Sequence, residues 1–296
     1  MELKAYLEIL RPVNCVIGAI SALIGFLNAA YPLAATFSTV NNWLLLIGVL
    51  VVYFFTAGAS NLINDYFDLE IDKINRPERA LPRGAISKED AMKYFFLLCA
   101  ISIGLSIVVG LFTPNPILIP VSNSFFLFVG YFYAWKGKKS GFPGNLIVGL
   151  SFPFGIPFGA MYIASIVNIA PKVWFFYATS AFGLISRELV KGMEDIEGDK
   201  KFNIKTIANT KGFKTAMVMS LVFSSCAILV FTLPAFLYDL GLPFIIFMML
   251  GNAAVVGSMV LILKDRESKK NQKYASLLLK VGGFIGLVGY VFASFN

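Results

Sequence analysis

Nine stretches of about 20 predominantly apolar residues follow one another along the chain, at about 13–34, 42–63, 91–112, 116–135, 145–167, 173–194, 214–237, 242–263 and 274–294. Each is long enough for a helix to cross the roughly 30 Å hydrocarbon core of a bilayer. Lipid offers no partner for backbone polar groups, so runs of this length must be helical. The chain is 57% hydrophobic, with a mean hydropathy of +0.75 and only 14% charged residues, where a soluble domain carries about 25%. The surplus apolar surface therefore faces lipid. The expected fold is all-α and polytopic: one integral-membrane domain over residues 1–296, with nine transmembrane helices around a central cavity. No apolar segment with a cleavage site opens the sequence, so the first span is expected to be retained.

Charge placement orients these spans. With the N-terminus in the cytoplasm, all of the 25 Lys and Arg residues except Lys172 fall on the cytoplasmic side. This is the positive-inside pattern, and nine spans then leave the C-terminus outside. Topology and anionic lipid headgroups account for the net charge of +8 without a nucleic-acid partner. The absence of histidine excludes His-ligated haem, His-box di-iron oxidation and a His general base. Cys15, Cys99 and Cys226 fall within predicted spans without paired spacing, so neither a disulfide framework nor a zinc site is expected.

Polar residues concentrate in two places. The first, Asn61 to Asp72, reads NLINDYFDLEID and follows directly on an apolar run. Asn64, Asp68 and Asp72 recur every four residues, so on a continuing helix they drift only about 40° per step and share one face. Asp65 lies one position round. Carboxylates are costly inside a bilayer and mark ion or substrate chemistry when they occur there; a polyanionic stripe ending an apolar helix points to a divalent-metal site. Lys73 to Ser87, KINRPERALPRGAIS, follows it. Arg76, Arg79 and Arg83 alternate with Pro77, Pro82 and Gly84, which predicts a structured basic loop rather than a helix. Ser87 with Asp90 predicts a capping box for the third span. These arginines could pair with the carboxylates beside them, or bind the oxyanion of a metal-held ligand, since the guanidinium fork suits phosphate. Upstream, ELKAYLEILRPVN predicts an amphipathic interfacial helix. Pro12 and Asn14 then open the first span, and Arg11 is either an interfacial anchor or a phosphate contact.

The fourth span ends in YFYAWKGKKSGFPGN, with Tyr131 and Tyr133 on its last turn and Lys136, Lys138 and Lys139 beyond. Lys138 and Lys139 read as a basic anchor beside an aromatic belt. The fifth span (SFPFGIPFGA) predicts a kink and close helix packing. The sixth ends in the second polar stretch, SRELVKGMEDIEGDKK, where Arg187, Lys191, Asp195 and Asp199 again recur every four residues. DLEIDK, Asp68 to Lys73, matches DIEGDK, Asp195 to Lys200, at every polar position, 127 residues apart. Each ends an even-numbered span on the same side and leads into a basic loop. We read an internal repeat with two metal-binding halves facing each other. The last three spans carry no assigned chemistry.

Two such helices could hold two or more Mg²⁺, which prefers oxygen ligands and shares its shell with phosphates and water. The flanking cations call for a strongly anionic ligand, naturally a diphosphate, and the apolar walls with 29 Phe in the chain call for a long hydrocarbon behind it. If that tail is allylic, metal-assisted loss of diphosphate gives a carbocation that aromatic faces and a water-poor cavity protect.

The stretches NDYFDLEIDKINRPERALPRG and EDIEGDKKFNIKT resemble the two aspartate-rich motifs of the UbiA-type intramembrane prenyltransferases. The form RPERALPRGAIS and the GDKK ending are most similar to the archaeal digeranylgeranylglyceryl phosphate synthases. That resemblance implies transfer of a geranylgeranyl group from geranylgeranyl diphosphate to the free glycerol hydroxyl of geranylgeranylglyceryl phosphate, the second ether bond of archaeal lipids. It implies Asn64, Asp68, Asp72, Asp195 and Asp199 as ligands of Mg²⁺ or of its water, with the four aspartates and Lys191 catalytic. It implies Asn14, Lys73, Arg79, Arg83, Tyr131, Lys136, Arg187 and Lys200 as substrate-binding. Many relatives carry Asp where this chain has Gly192, which leaves the base open among Glu194, Asp65 and the leaving diphosphate. An aromatic acceptor (hydroxybenzoate, naphthoate or a tetrapyrrole) is the alternative within the fold. A cation-coupled transporter is the alternative outside it, though its carboxylates belong near the midplane. The single D-G-x-x-A-R block of the CDP-alcohol phosphotransferases is absent.

Overall fold

The computed structural model describes residues 3–30, 32–201 and 204–295, and among them it is helical, with no strand beyond an isolated bridge between Ser140 and Lys205. In chain order the helices are α1 (Leu3–Ile9), α2 (Pro12–Ala29), α3 (Leu33–Thr36), α4 (Val40–Phe67), α5 (Leu69–Asn75), α6 (Lys88–Gly110), α7 (Leu118–Trp135), α8 (Phe142–Ser151) and α9 (Gly155–Ala160). They continue with α10 (Pro171–Glu194), α11 (Ile196–Lys201), α12 (Ile207–Lys211), α13 (Phe213–Thr232), α14 (Pro234–Leu237), α15 (Gly241–Lys264) and α16 (Lys269–Phe292). Packing divides the chain into two compact units, one of Met1–Lys136 with Gly155–Ile169 and the other of Gly137–Phe154 with Ala170–Asn296.

Among the described residues, seven helical stretches are long and apolar enough to cross a membrane: α2, α4, α6, α7, α13 continued through α14, α15 and α16. The two remaining predicted spans depart from that pattern for different reasons. The sixth is the 24-residue α10, long enough to cross but weighted by Arg187, Glu188, Lys191 and Glu194 near its end. The fifth is not one helix. It breaks at a 3₁₀ turn, Phe152–Phe154, between α8 and α9. Pro153 and Pro157 each remove a backbone donor from the helical ladder, so the predicted kink becomes a full interruption.

In the first unit α4 packs on α2, α6 and α7, and α9 lies against α2. That last approach depends on glycine: a Cβ at Gly159 would collide with the backbone of Ala22, and one at Gly25 with the carbonyl of Ile156. Small residues let membrane helices meet backbone to backbone. Polar side chains knit the same unit, with Thr56 Oγ1 donating to Asn123 Oδ1 at 2.6 Å and Asn123 Nδ2 donating to Ser102 Oγ at 2.9 Å. In the second unit α10 packs on α13 and α16, and α15 on α16. There the hydroxyls of Ser186, Ser220 and Ser224 meet at 2.8–2.9 Å. The three cysteines are unpaired.

The N-terminal segment is the expected amphipathic helix. Ala5 and Ile9 of α1 are buried, while Leu3 and Leu7 are 77% and 54% exposed. Ser87 caps α6, its Oγ accepting from the Asp90 N–H at 3.0 Å. At 28 residues α4 is about 42 Å long, by 1.5 Å per residue. That exceeds the roughly 30 Å apolar core of a bilayer, so its polar last turns need not lie within hydrocarbon.

Candidate active site

Both acidic stretches sit on the same local device. α4 stops at Phe67 and α5 starts at Leu69, with Asp68 between them at φ −85°, ψ 1°. α10 stops at Glu194 and α11 starts at Ile196, with Asp195 between them at φ −92°, ψ 7°. The expected straight helix through Asn64, Asp68 and Asp72 is thus hinged at its middle residue. The i to i−4 bonding survives the hinge: Asp68 N–H reaches the Asn64 carbonyl at 2.9 Å and Asp72 N–H the Asp68 carbonyl at 2.8 Å. The second stretch repeats both bonds, Asp195 to Lys191 and Asp199 to Asp195, each at 2.9 Å. The sequence repeat is therefore a backbone repeat as well.

The first hinge is dense with pairs. Asp65, Asp68 and Asp72 are all buried. Asn64 Nδ2 donates to Asp68 Oδ2 at 2.9 Å. Arg79 Nη1 donates to Asp72 Oδ2 at 2.6 Å and to Asp65 Oδ1 at 3.0 Å. Arg11 reaches the same Asp65 oxygen through Nη2. Arg11 thus grips α4 from the turn between α1 and α2. It does so in the left-handed region, at φ 52°, a conformation that costs a non-glycine residue about 1–2 kcal/mol. Arg83 is committed elsewhere, donating to both carboxylate oxygens of Glu8 at 2.8 and 2.9 Å. Its guanidinium holds the Glu8 carboxyl below the usual range. Lys73 lies on α5, not in the predicted loop, and pairs with Glu70 at 2.8 Å on the exposed surface. Of the two partners open to the loop arginines, Arg79 takes the carboxylates, because a buried carboxylate must find a cation.

The second hinge is open. Asp195 and Lys191 are exposed and Asp199 half-buried. Burial and the neighbouring Asp195 push the Asp199 carboxyl up to about 6, against the pull of Lys191 and Lys138. Lys138, read from sequence as a membrane anchor, is near enough to Asp199 for its charge to be felt there. The bridge between Ser140 and Lys205 draws its turn alongside the segment that follows α11, a pairing without a sequence signal. Arg187 donates to Glu188 at 3.2 Å, and its buried Nε has no partner among the described residues. A Cβ at Gly192 would come within 3.3 Å of the Thr206 side chain, so close packing on the α12 cap suits glycine there. The Lys200 side chain lies outside the described residues.

Of the remaining predicted residues, Asn14 is exposed on the first turn of α2. Tyr131 stacks edge-on against Phe67, ring centroids 5.6 Å apart, which ties the end of α7 to the first hinge. Lys136 caps α7 with Nζ 4.0 Å above the Trp135 ring. Among the described residues no three Asp, Glu or Cys side chains converge as a preformed metal cage. The donors nevertheless fit Mg²⁺ chemically, being carboxylate and amide oxygens throughout. The repulsion that raises Asp199 is also what a divalent cation would relieve.

A family model described as the UbiA prenyltransferase family matches residues 15–284. The chain belongs to that family. It is 34% identical over 296 residues to a digeranylgeranylglyceryl phosphate synthase of Thermococcus kodakarensis, covering 99% of each chain. It also resembles a solved structure from work on digeranylgeranylglyceryl phosphate synthase in membranes, with TM-score 0.80, 31% identity and 100% and 99% of the two chains covered. A UbiA homologue from Archaeoglobus fulgidus bound to GPP and Mg²⁺ shares the fold at TM-score 0.67 and 18% identity, over 98% of this chain and 99% of that one.

Proposed function

We propose that the chain is a digeranylgeranylglyceryl phosphate synthase: it transfers the geranylgeranyl group of geranylgeranyl diphosphate to the free hydroxyl of geranylgeranylglyceryl phosphate and releases diphosphate. The observation that carries this reading is the acidic hinge, present once in each unit and flanked by cations, in a chain with full-length relatives of that name. On this reading the protein crosses the membrane nine times, α8–α9 and α10 joining the seven apolar helices, with the N-terminus and the site on the cytoplasmic side.

Mg²⁺ bound by Asn64, Asp68, Asp72, Asp195 and Asp199 would supply Lewis-acid stabilisation of the leaving diphosphate. The unpartnered Arg187 Nε, with Lys191, supplies donors for the negative charge that grows on diphosphate as the allylic C–O bond breaks. The acceptor oxygen then bonds to the prenyl carbon and its proton leaves. Asp65 is a poor choice to take it, because two guanidiniums already hold its carboxylate. That leaves Glu194 or the departing diphosphate.

The test is product formation by purified protein in Mg²⁺ with labelled geranylgeranyl diphosphate, offering geranylgeranylglyceryl phosphate beside hydroxybenzoate, naphthoate and a tetrapyrrole. The ether product from the glycerophosphate alone is expected. Its absence, with prenylation of an aromatic acceptor, would replace this function with the aromatic one.

A further inference from the structure

Two cavities of the first unit border α4, one between it, α1 and the loop after α5, the other between it and α2. One, about 180 Å³, is polar and framed by Glu8, Ile9, Arg11, Asp65, Arg79 and Ala80. The other, about 500 Å³, is an open groove with apolar walls that include Val16, Ile20 and Leu23 of α2 and Leu50, Val51 and Phe54 of α4. Leu50, Phe54, Asn61, Asp65 and Asp68 share one face of α4, by spacings of four, seven, four and three. Val16 is five residues from Arg11 and Leu50 fifteen from Asp65. The groove therefore runs about 8 to 22 Å along the helices from the arginine pocket, at 1.5 Å per residue. A guanidinium pocket above an apolar groove is the shape of an amphiphile.

We propose that this pair of cavities binds the lipid acceptor: the phosphate monoester in the arginine pocket and one long isoprenoid chain along the α2–α4 groove. The proposal rests on the function given above. A diphosphate donor fits the pocket poorly, because at about 180 Å³ it is small and its one buried carboxylate, Asp65, is already shared by two guanidiniums. A monophosphate needs no metal.

The charges also say how the phosphate enters. Arg11, Arg79 and Arg83 are balanced by Asp65, Asp72 and Glu8, so an incoming anion must displace a carboxylate. Asp65 and Asp72 are held at 5% and 8% side-chain exposure, whereas Glu8 and Arg83 are 37% and 34% exposed. Glu8 sits on the short interfacial α1 and presents two oxygens to the Arg83 fork, as a phosphate does. Glu8 therefore holds the place on Arg83 that the acceptor phosphate takes.

The experiment measures equilibrium binding of tritiated geranylgeranylglyceryl phosphate to the purified full-length chain, without Mg²⁺ or donor. Filling the groove with Ile20→Trp, or with Val16→Trp at its exposed wall, should weaken binding by at least about tenfold, and Glu8→Gln should tighten it by about threefold or more. The dephosphorylated alcohol should respond to the tryptophans but not to Glu8→Gln. Unchanged binding in both tryptophan variants, each with the wild-type gel-filtration profile, overturns the groove; weaker or unchanged binding in Glu8→Gln overturns the exchange at Arg83. In turnover, the KM for geranylgeranyl diphosphate should stay within about twofold in the tryptophan variants. A rise matching that for the acceptor would give the groove to the donor instead. Binding is read without transfer, so a protein that binds as expected but makes no ether product would sink the function and leave this site standing.

Discussion

The two acidic hinges share a backbone and differ in nearly everything attached to it. Around Asp68 the carboxylates are buried and Arg11 and Arg79 clamp Asp65 and Asp72. Around Asp195 the carboxylate and Lys191 are exposed, and Asp199 is left with a raised affinity for protons. The same motif has thus been built once as a buried, internally neutralised cluster and once as an exposed one whose Asp195 and Asp199 show no ion pair among the described residues. A duplicated sequence signals duplicated geometry; how much of each copy is spent on holding itself together depends on what packs around it.

That contrast can be broken by substitution. The largest effect should be shared by both hinges: Asp68→Ala and Asp195→Ala should each lower turnover by at least about 100-fold, the loss typical of removing one charge-stabilising group at a reacting centre. Full activity in either variant, folded by its thermal melt, would remove the metal assignment from that hinge. Next comes a split. Arg79→Ala strands the buried Asp72 and leaves Asp65 to Arg11 alone, and should destabilise the protein by about 3 kcal/mol, whereas Lys191→Ala, exposed, should change stability by less than about 0.5 kcal/mol while still lowering turnover. Equal melting shifts for the two would mean the hinges are not differently built.

A pH titration sharpens the comparison. Because the Asp199 carboxyl sits at about 6, protons compete there with a divalent cation: Mg²⁺ binding should be strong above pH 6 and weaken as pH falls through it. Asp199→Asn should flatten that dependence, as followed by calorimetric Mg²⁺ titration; a steep fall near pH 6 that persists in the variant would place the titrating group elsewhere. The smallest effect belongs to Lys73→Ala. Its pair with Glu70 is half-exposed or more on both sides, so denaturant unfolding should change by less than about 0.5 kcal/mol.

Much of this was legible in sequence. Runs of apolar residues determined the helices, because backbone in lipid has no alternative, and the matching stretches from Asp68 to Lys73 and Asp195 to Lys200 disclosed the duplicated backbone motif. Short-range rules also held: Ser87 caps α6 and the prolines at 153 and 157 interrupt the fifth span. Tertiary structure alone decided which charges meet. Arg11 lies 54 residues from Asp65, and Arg83 lies 75 from Glu8. No periodicity encodes such distances, since they depend on where packing returns the chain. Packing likewise buries Asp72 beside Arg79 and leaves Lys138 to act on Asp199. Sequence supplied the ionisable groups at the ends of the helices; desolvation, which only the folded molecule sets, determined which of them had to be neutralised from within.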